Sequence, residues 1–360
     1  MQKTETVWAC LATILLALGV PHDAEAAKTD VVVLINGDAV TGEIKSLDFG
    51  ALRYGTDSMG TVTIEWEEIV WLKSNQSLQV EVASGTRYFG GLFATGTDGV
   101  VGIGRGENIQ EIDLSQIVRI TPIETDEKIW QRFEGSVKFG FNSDKASQVT
   151  VGNLSANVRY RARTYLLGLD LVSSVTDQPG AETTQNQSLN LNYQRFRDNR
   201  WFTDWFTSAE RNDEQGVDRR LSVGGGLGKY LVQSNKNQFS LLVGLVATRT
   251  TLSGIAPELP IEGSEPADTN SDTTDAEAKF SVKYLHRSLE PSSDMTFTTD
   301  VFPQLQDFSS FRSNTNLTLR REIIDDLFFD LSFYYTYLSK PPVGAEKDDY
   351  GVVTSIGYSF

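Results

Sequence analysis

Residues 327–340 read LFFDLSFYYTYLSK. Leu327, Phe329, Leu331, Phe333, Tyr335 and Tyr337 fall on one side of an extended chain. Asp330, Ser332, Tyr334 and Thr336 fall on the other. Side chains of a strand alternate between its two faces, so a period of two makes a strand with one apolar and one polar face. The same rhythm ends the chain in VVTSIGYSF (352–360). Val352, Ile356, Tyr358 and Phe360 share a face there, and Gly351, Val353, Ser355, Gly357 and Ser359 share the other. A terminus usually frays, so an aromatic residue closing an alternating strand asks for a reason beyond ordinary soluble packing.

The rhythm extends back to Trp130 and divides the chain into twelve segments: about 130–142, 148–161, 162–176, 184–198, 200–213, 218–233, 237–253, 274–289, 293–306, 311–326, 327–340 and 348–360. Each is long enough for a tilted bilayer-crossing strand, which needs about 9–11 residues. Phe133, Val137, Phe139 and Phe141 oppose Glu134, Ser136, Lys138 and Asn142. Phe280, Val282 and Tyr284 oppose Lys279, Ser281, Lys283 and Arg287. The pattern is less clean where Phe202 and Phe206 share a face with Asp204, and where Leu242 and Val246 fall on the polar face. A soluble sandwich also alternates, with its apolar face inside. Here the polar face carries both charge signs, which can pair in a lumen. Trp130, Trp201, Tyr230, Tyr284, Tyr337 and Tyr350 stand at segment ends, where barrel girdles meet headgroups. Connections three, five, seven and eleven are long, and two, four, six and ten are tight. The ninth reads as short. Such asymmetry suits a barrel with short periplasmic turns and long outer loops.

Composition agrees. Hydrophobic residues are 39%, aromatics 10%, and the net charge is −16. That acidity excludes a nucleic-acid partner, which needs a basic face. The first 27 residues set Lys3 before an apolar run from Val7 to Val20 and the small residues Ala24, Ala26 and Ala27. They read as a secretory signal peptide. Cys10 is the one cysteine, so the expected mature chain has neither disulfide nor thiol nucleophile.

Residues 28–122 form a separate, repetitive unit. A shift of 48 carries Gly37 onto Gly85, Gly42 onto Gly90, Trp66 onto Leu114 and Leu72 onto Ile120. Each copy reads as four strands, with a turn at Asn36-Gly37-Asp38 or Ser84-Gly85-Thr86. The pattern resembles small SH3-like and Sm-like barrels. Trp66 reads as core, while Trp71, Tyr88 and Phe89 are candidates for contact with a peptide, the cell wall or a periplasmic protein. Residues 123–129 read as a linker.

The stretches RWFTDWFTSAERNDEQGVDRRLSVGGGLGKYLV and KPPVGAEKDDYGVVTSIGYSF, over about 130–360, resemble the bacterial family of salt-induced outer-membrane proteins. That resemblance implies an outer-membrane barrel of unassigned role. It also implies that Ile356, Tyr358 and Phe360 serve as the terminal signal read by the barrel assembly machinery.

Catalytic patterns are weak. His286 is the one histidine after the signal, so a Ser-His-Asp arrangement has a single candidate base. GIGRG (102–106) and GGGLG (224–228) lack the lysine of a phosphate loop; glycine in the latter reads as room for bulky lumen neighbours or as a bend. The expectation is therefore an all-β chain in which a duplicated small-barrel module precedes a 12-stranded antiparallel transmembrane barrel. No cofactor or metal is expected, and lipid and the assembly machinery are the partners. Glu134, Lys138, Arg159, Lys279, Lys283, Asp300, Arg320 and Asp330 are the expected lumen lining. Glu258, Glu262, Glu265, Asp268, Asp272 and Asp275, with Glu277, are expected in an acidic loop that reads first as a solvated, disordered segment and, as the functional alternative, as a cation-attracting pore mouth or an adhesive surface.

Overall fold

The computed structural model describes residues 28–105, 108–123, 133–143, 148–162, 164–180, 183–252, 271–289, 292–324, 326–341 and 346–359. The expected signal peptide, Trp130, Glu258, Glu262, Glu265, Asp268 and Phe360 lie outside them.

Nine strands build the front module: β1 (Asp30–Leu34), β2 (Ala39–Asp48), β3 (Ala51–Gly55), β4 (Thr61–Glu65), β5 (Ile69–Val82), β6 (Arg87–Ala94), β7 (Val100–Arg105), β8 (Asn108–Asp113) and β9 (Ile117–Pro122). They pair in the order β4-β3-β2-β1-β5-β6-β7-β8, and β9 pairs with both β2 and β5. The duplication is visible in the register. Val31 pairs with Lys73 and Val32 with Leu72; Gln79 pairs with Thr121 and Val80 with Ile120. Asp30 faces Gly42 as Leu78 faces Gly90. Each copy has five strands rather than four, because β5 ends the first copy and begins the second without a break. A 3₁₀ turn precedes the last strand of each copy, at Trp66–Glu68 and Leu114–Gln116. The Trp66 indole Nε1–H donates to the Leu114 carbonyl at 2.7 Å, joining repeat-equivalent residues across the module. Val32, Ile44, Leu52, Tyr54, Leu72, Val80, Leu92 and Ile120 are fully buried around them.

Twelve strands then close on themselves: β10 (Phe133–Ser143), β11 (Thr150–Arg161), β12 (Tyr165–Asp177), β13 (Thr184–Phe196), β14 (Trp201–Asn212), β15 (Val217–Gln233), β16 (Asn237–Leu252), β17 (Ser271–Ser288), β18 (Ser293–Pro303), β19 (Phe311–Ile324), β20 (Leu327–Leu338) and β21 (Asp348–Ser359). The seam pairs Ser136 with Ser359 and Phe139 with Ile356. The alternation sorts the two faces. Phe139, Phe141, Trp205, Val223, Leu245, Val352 and Ile356 stand exposed on the outside. Ser136, Ser222, Thr248, Glu277 and Asp330 are buried inside. At the short-turn end, Phe133, Tyr160, Tyr165 and Tyr193 follow one another ring to ring, with centroids 5.1–6.1 Å apart.

Expectations for the barrel strands change as well. β17 starts at Ser271, so Asp272 and Asp275 belong to a strand: Asp272 pairs with Arg249 at 2.7 Å. Ladder pairing with β16 extends the strand beyond what side-chain polarity suggests. The ninth connection is longer than read, because β18 stops at Pro303, which has no N–H for a continuing ladder. Tyr230 points inward rather than into a girdle; its hydroxyl donates to Gln194 Oε1 at 3.1 Å.

Candidate functional site

The barrel interior is divided between a packed half and a hydrophilic half. On β14 the inward positions are Phe202, Asp204, Phe206, Ser208 and Glu210; their partners on β15 are Gly228, Gly226, Gly224, Ser222 and Arg220. The glycines are seats for rings. A Cβ on Gly228 would lie 2.2 Å from the Phe202 ring, and one on Gly224 would lie 2.9 Å from the Phe206 ring. Phe196, Phe202 and Leu242 form one buried cluster, with Tyr230 and Leu166 against it. Phe206, Val246 and Phe302 form another. The uneven alternation of these strands therefore records apolar packing inside the barrel.

Cations lie on this apolar material. Lys279 Nζ sits 4.1 Å from the Phe206 centroid and 3.7 Å from Asp300 Oδ1. The Arg312 guanidinium stacks 3.7 Å over Phe302 and grips Glu277 with two bonds of 3.0 and 2.9 Å. Thr248 Oγ1 adds a 2.7 Å bond to the same carboxylate. Across the seam, Asp330 accepts from Arg320 at 3.1 Å and lies 2.7 Å from Lys138 Nζ. Arg159 holds both oxygens of Asp170 at 2.7 and 2.9 Å. Arg220 donates to Glu210 at 3.0 Å.

Of the eight expected lining residues, Lys138, Arg320 and Asp330 come together in one cluster, and Lys279 meets Asp300. Lys283 lies among Arg159, Asp170, Asp204 and Asp300. Glu134 has an exposed side chain at the short-turn rim, 3.7 Å from Arg53 of the front module. Glu277, Arg312, Glu210, Arg220 and Asp170 were missed. Glu277 was hidden by its acidic neighbours, although it shares parity with Lys279 and Lys283.

The inward positions of β11, β12 and β13 are largely uncharged. They include Asn153, Ser155 and Asn157; Ser174 and Thr176; and Asn186, Ser188, Asn190 and Asn192. A cavity of about 500 Å³ opens here toward the long-loop end, bounded by Asn153, Ser174, Thr184, Asn186, Glu214 and Tyr334 among others.

The short-turn mouth is covered by the front module. Arg87 donates to the Arg197 carbonyl at 3.1 Å and stands 3.7 Å from Asp198. Lys236 pairs with Glu67 at 2.8 Å, and Gln233 donates to Glu81 at 3.4 Å. Arg287 stacks 5.0 Å over the Phe49 ring. Gly85, at φ +87°, packs so closely that a Cβ would lie 2.7 Å from the Arg200 nitrogen. A side chain there would be strained in backbone and in space. Both copies dock, the first through Phe49, Arg53 and Glu67 and the second through Glu81, Gly85 and Arg87. Glu81, Arg87 and Arg119 stand where the first copy has Val33, Ala39 and Trp71. Arg119 is buried between Asp48 at 2.8 Å and Glu81 at 3.2 Å. Burial pushes the Asp48 carboxyl up, but Arg119, with Arg161 and Arg287 of the barrel, outweighs burial and holds it below the usual carboxylate value.

Three solved structures are similar over 63% of this chain: a NanC porin, at 10% identity over 98% of its length and TM-score 0.38; an outer-membrane channel from Pseudomonas putida F1, at 8% over 95% and 0.34; and an anion-selective porin from Comamonas acidovorans, at 7% over 98% and 0.25. No curated protein matches the chain. Residues 137–360, the barrel almost entire, match the family described as "Protein of unknown function, DUF481", and the chain belongs to that family.

Proposed function

We propose that this chain is an integral outer-membrane barrel, exported by a cleaved signal peptide, that forms a narrow, closed passage for small polar solutes or ions. Its SH3- or Sm-like module would face the periplasm as a cap; the resemblance to salt-induced outer-membrane proteins concerns the barrel. The observation that carries the reading is the inversion of its faces. Large apolar side chains stand exposed around a closed barrel: Phe139 at 57%, Trp205 at 61%, Leu245 at 63% and Val352 at 65%. Meanwhile Asp330 is fully buried inside. Water around such a belt would make it an aggregation surface, whereas lipid satisfies it. Among the described residues no helix is long and apolar enough to cross a membrane; a crossing by strands needs the closed barrel that is present.

The hydrophilic wall of β11–β13, whose inward charges Arg159 and Asp170 pair with each other, supports a polar route, while the ring clusters and ion pairs narrow it and the module covers one mouth. A twelve-stranded barrel filled in this way leaves at most a thin path. Planar bilayers test the reading. The intact chain should give rare, small openings. Reversing two cap contacts with Arg87→Glu and Lys236→Glu should raise open probability several-fold. Electrical silence of both proteins would leave the barrel without a passage role.

A further inference from the structure

The turn between β14 and β15, residues 213–216, does not stand clear of the barrel. It crosses the long-loop mouth to the opposite wall. Gln215, 3% exposed, donates through Nε2 to Thr336 Oγ1 of β20 at 2.9 Å. Twelve strands in sequence order put β20 nearly half the circumference away from β14 and β15. The turn is braced from within: Asn212, 1% exposed, accepts the Gln215 N–H at 3.0 Å, and Asp213 accepts the Gln185 N–H at 2.9 Å. Thr336 Oγ1 in turn donates to the Asp349 carbonyl at 3.4 Å.

This strap brings one carboxyl against another. Glu214 lies beside Asp349 of β21, and the Tyr334 hydroxyl of β20 faces both carboxyls and interacts with Asp349 as a hydrogen-bond donor. Its own turn adds Asp213, which Arg211 already engages at 2.8 Å. Among the described residues, neither Glu214 nor Asp349 forms an ion pair. Oδ2 of Asp349 is buried without a hydrogen-bond partner. A protonated Glu214 would supply the missing donor, whereas an ionised Glu214 would set two like charges together at the strap's anchoring point.

We propose that residues 213–216 are a proton-sensitive strap over the long-loop mouth, closed while Glu214 and Asp349 share a proton and released when both are charged. Partial burial, then Asp349, pushes the Glu214 carboxyl up to about 7. A raised acid binds its proton more tightly when closed than when open. Closure is therefore fully favoured below the ordinary value of 4.5, weakens by up to about tenfold per unit as pH rises from there, and has lost this contribution once pH passes about 7.

The test is amide hydrogen exchange of residues 212–217 in the full chain in lipid nanodiscs, corrected for intrinsic pH dependence. Wild-type protection should fall between about pH 4.5 and pH 7, by up to about tenfold per unit, and level off above. Glu214→Gln and Asp349→Asn each keep a donor and remove one charge, so both should stay protected throughout. Equal pH profiles for wild type and both variants would overturn the proposal. A second arm, bilayer current, rests on the proposed passage. Wild-type openings should increase over the same pH interval, with Glu214→Gln closed. Release seen by exchange without current would refute the passage and leave the strap standing.

Discussion

The Arg312–Glu277 pair shows what single residues contribute to this lumen. Both are buried, and each neutralises the other through a two-pronged contact that water cannot replace. Arg312→Ala strands a carboxylate and should cost about 3–5 kcal/mol, read by urea unfolding of the barrel in lipid. A variant within about 1 kcal/mol of wild type would place water at Glu277. Gly228→Leu should destabilise by about 1–3 kcal/mol, because Phe202 already fills the site. Much of this scale was legible. Parity alone put Lys138 and Asp330 on one surface, and GGGLG read as space for neighbours. What parity does not reveal is partnership. Arg312 and Glu277 lie on strands separated by a third, and Tyr230 was read outward because a tyrosine at a segment end suits a girdle equally well.

At the level of the strand, the period of two carried nearly everything, because a one-residue slip would exchange lipid-facing and lumen-facing sets throughout a segment. Strand ends were harder. β17 continues through Asp272 and Asp275 because β16 offers a ladder, while β18 yields at Pro303. The closing strand is the vulnerable element, since among the described residues its seam with β10 runs over Ser136–Phe139. Ile356 is 56% exposed on the outer face. Ile356→Arg should destabilise insertion by up to about 2–4 kcal/mol, measured by folding into liposomes. The expected role of Tyr358 in assembly is tested by Tyr358→Ala, which should slow appearance of the folded form in a cellular pulse-chase; unchanged kinetics would remove that role.

Across the whole molecule, the duplication has been put to asymmetric use. The two copies share strand register, yet they meet the barrel through different positions: Phe49, Arg53 and Glu67 in the first, Glu81 and Arg87 in the second, with Arg119 behind them. The substitution is visible once the copies are aligned, but its meaning depends on which face docks, and residues so far apart in sequence leave no local trace of that. The Asp48 carboxyl is depressed by burial's opponent, the Arg119 guanidinium, so its contribution is full above the ordinary 3.8 and is lost as pH falls through its lower folded value. Exchange protection of β9 should therefore fall in strong acid, and Asp48→Asn should remove that dependence. The claim beneath all of these is that the apolar belt faces lipid. Gel migration of the fractionated envelope, with and without boiling, tests it most directly. The account predicts that the full-length protein is in the outer-membrane fraction and migrates faster unboiled than boiled. Recovery in the soluble periplasmic fraction, with identical migration before and after boiling, would contradict it.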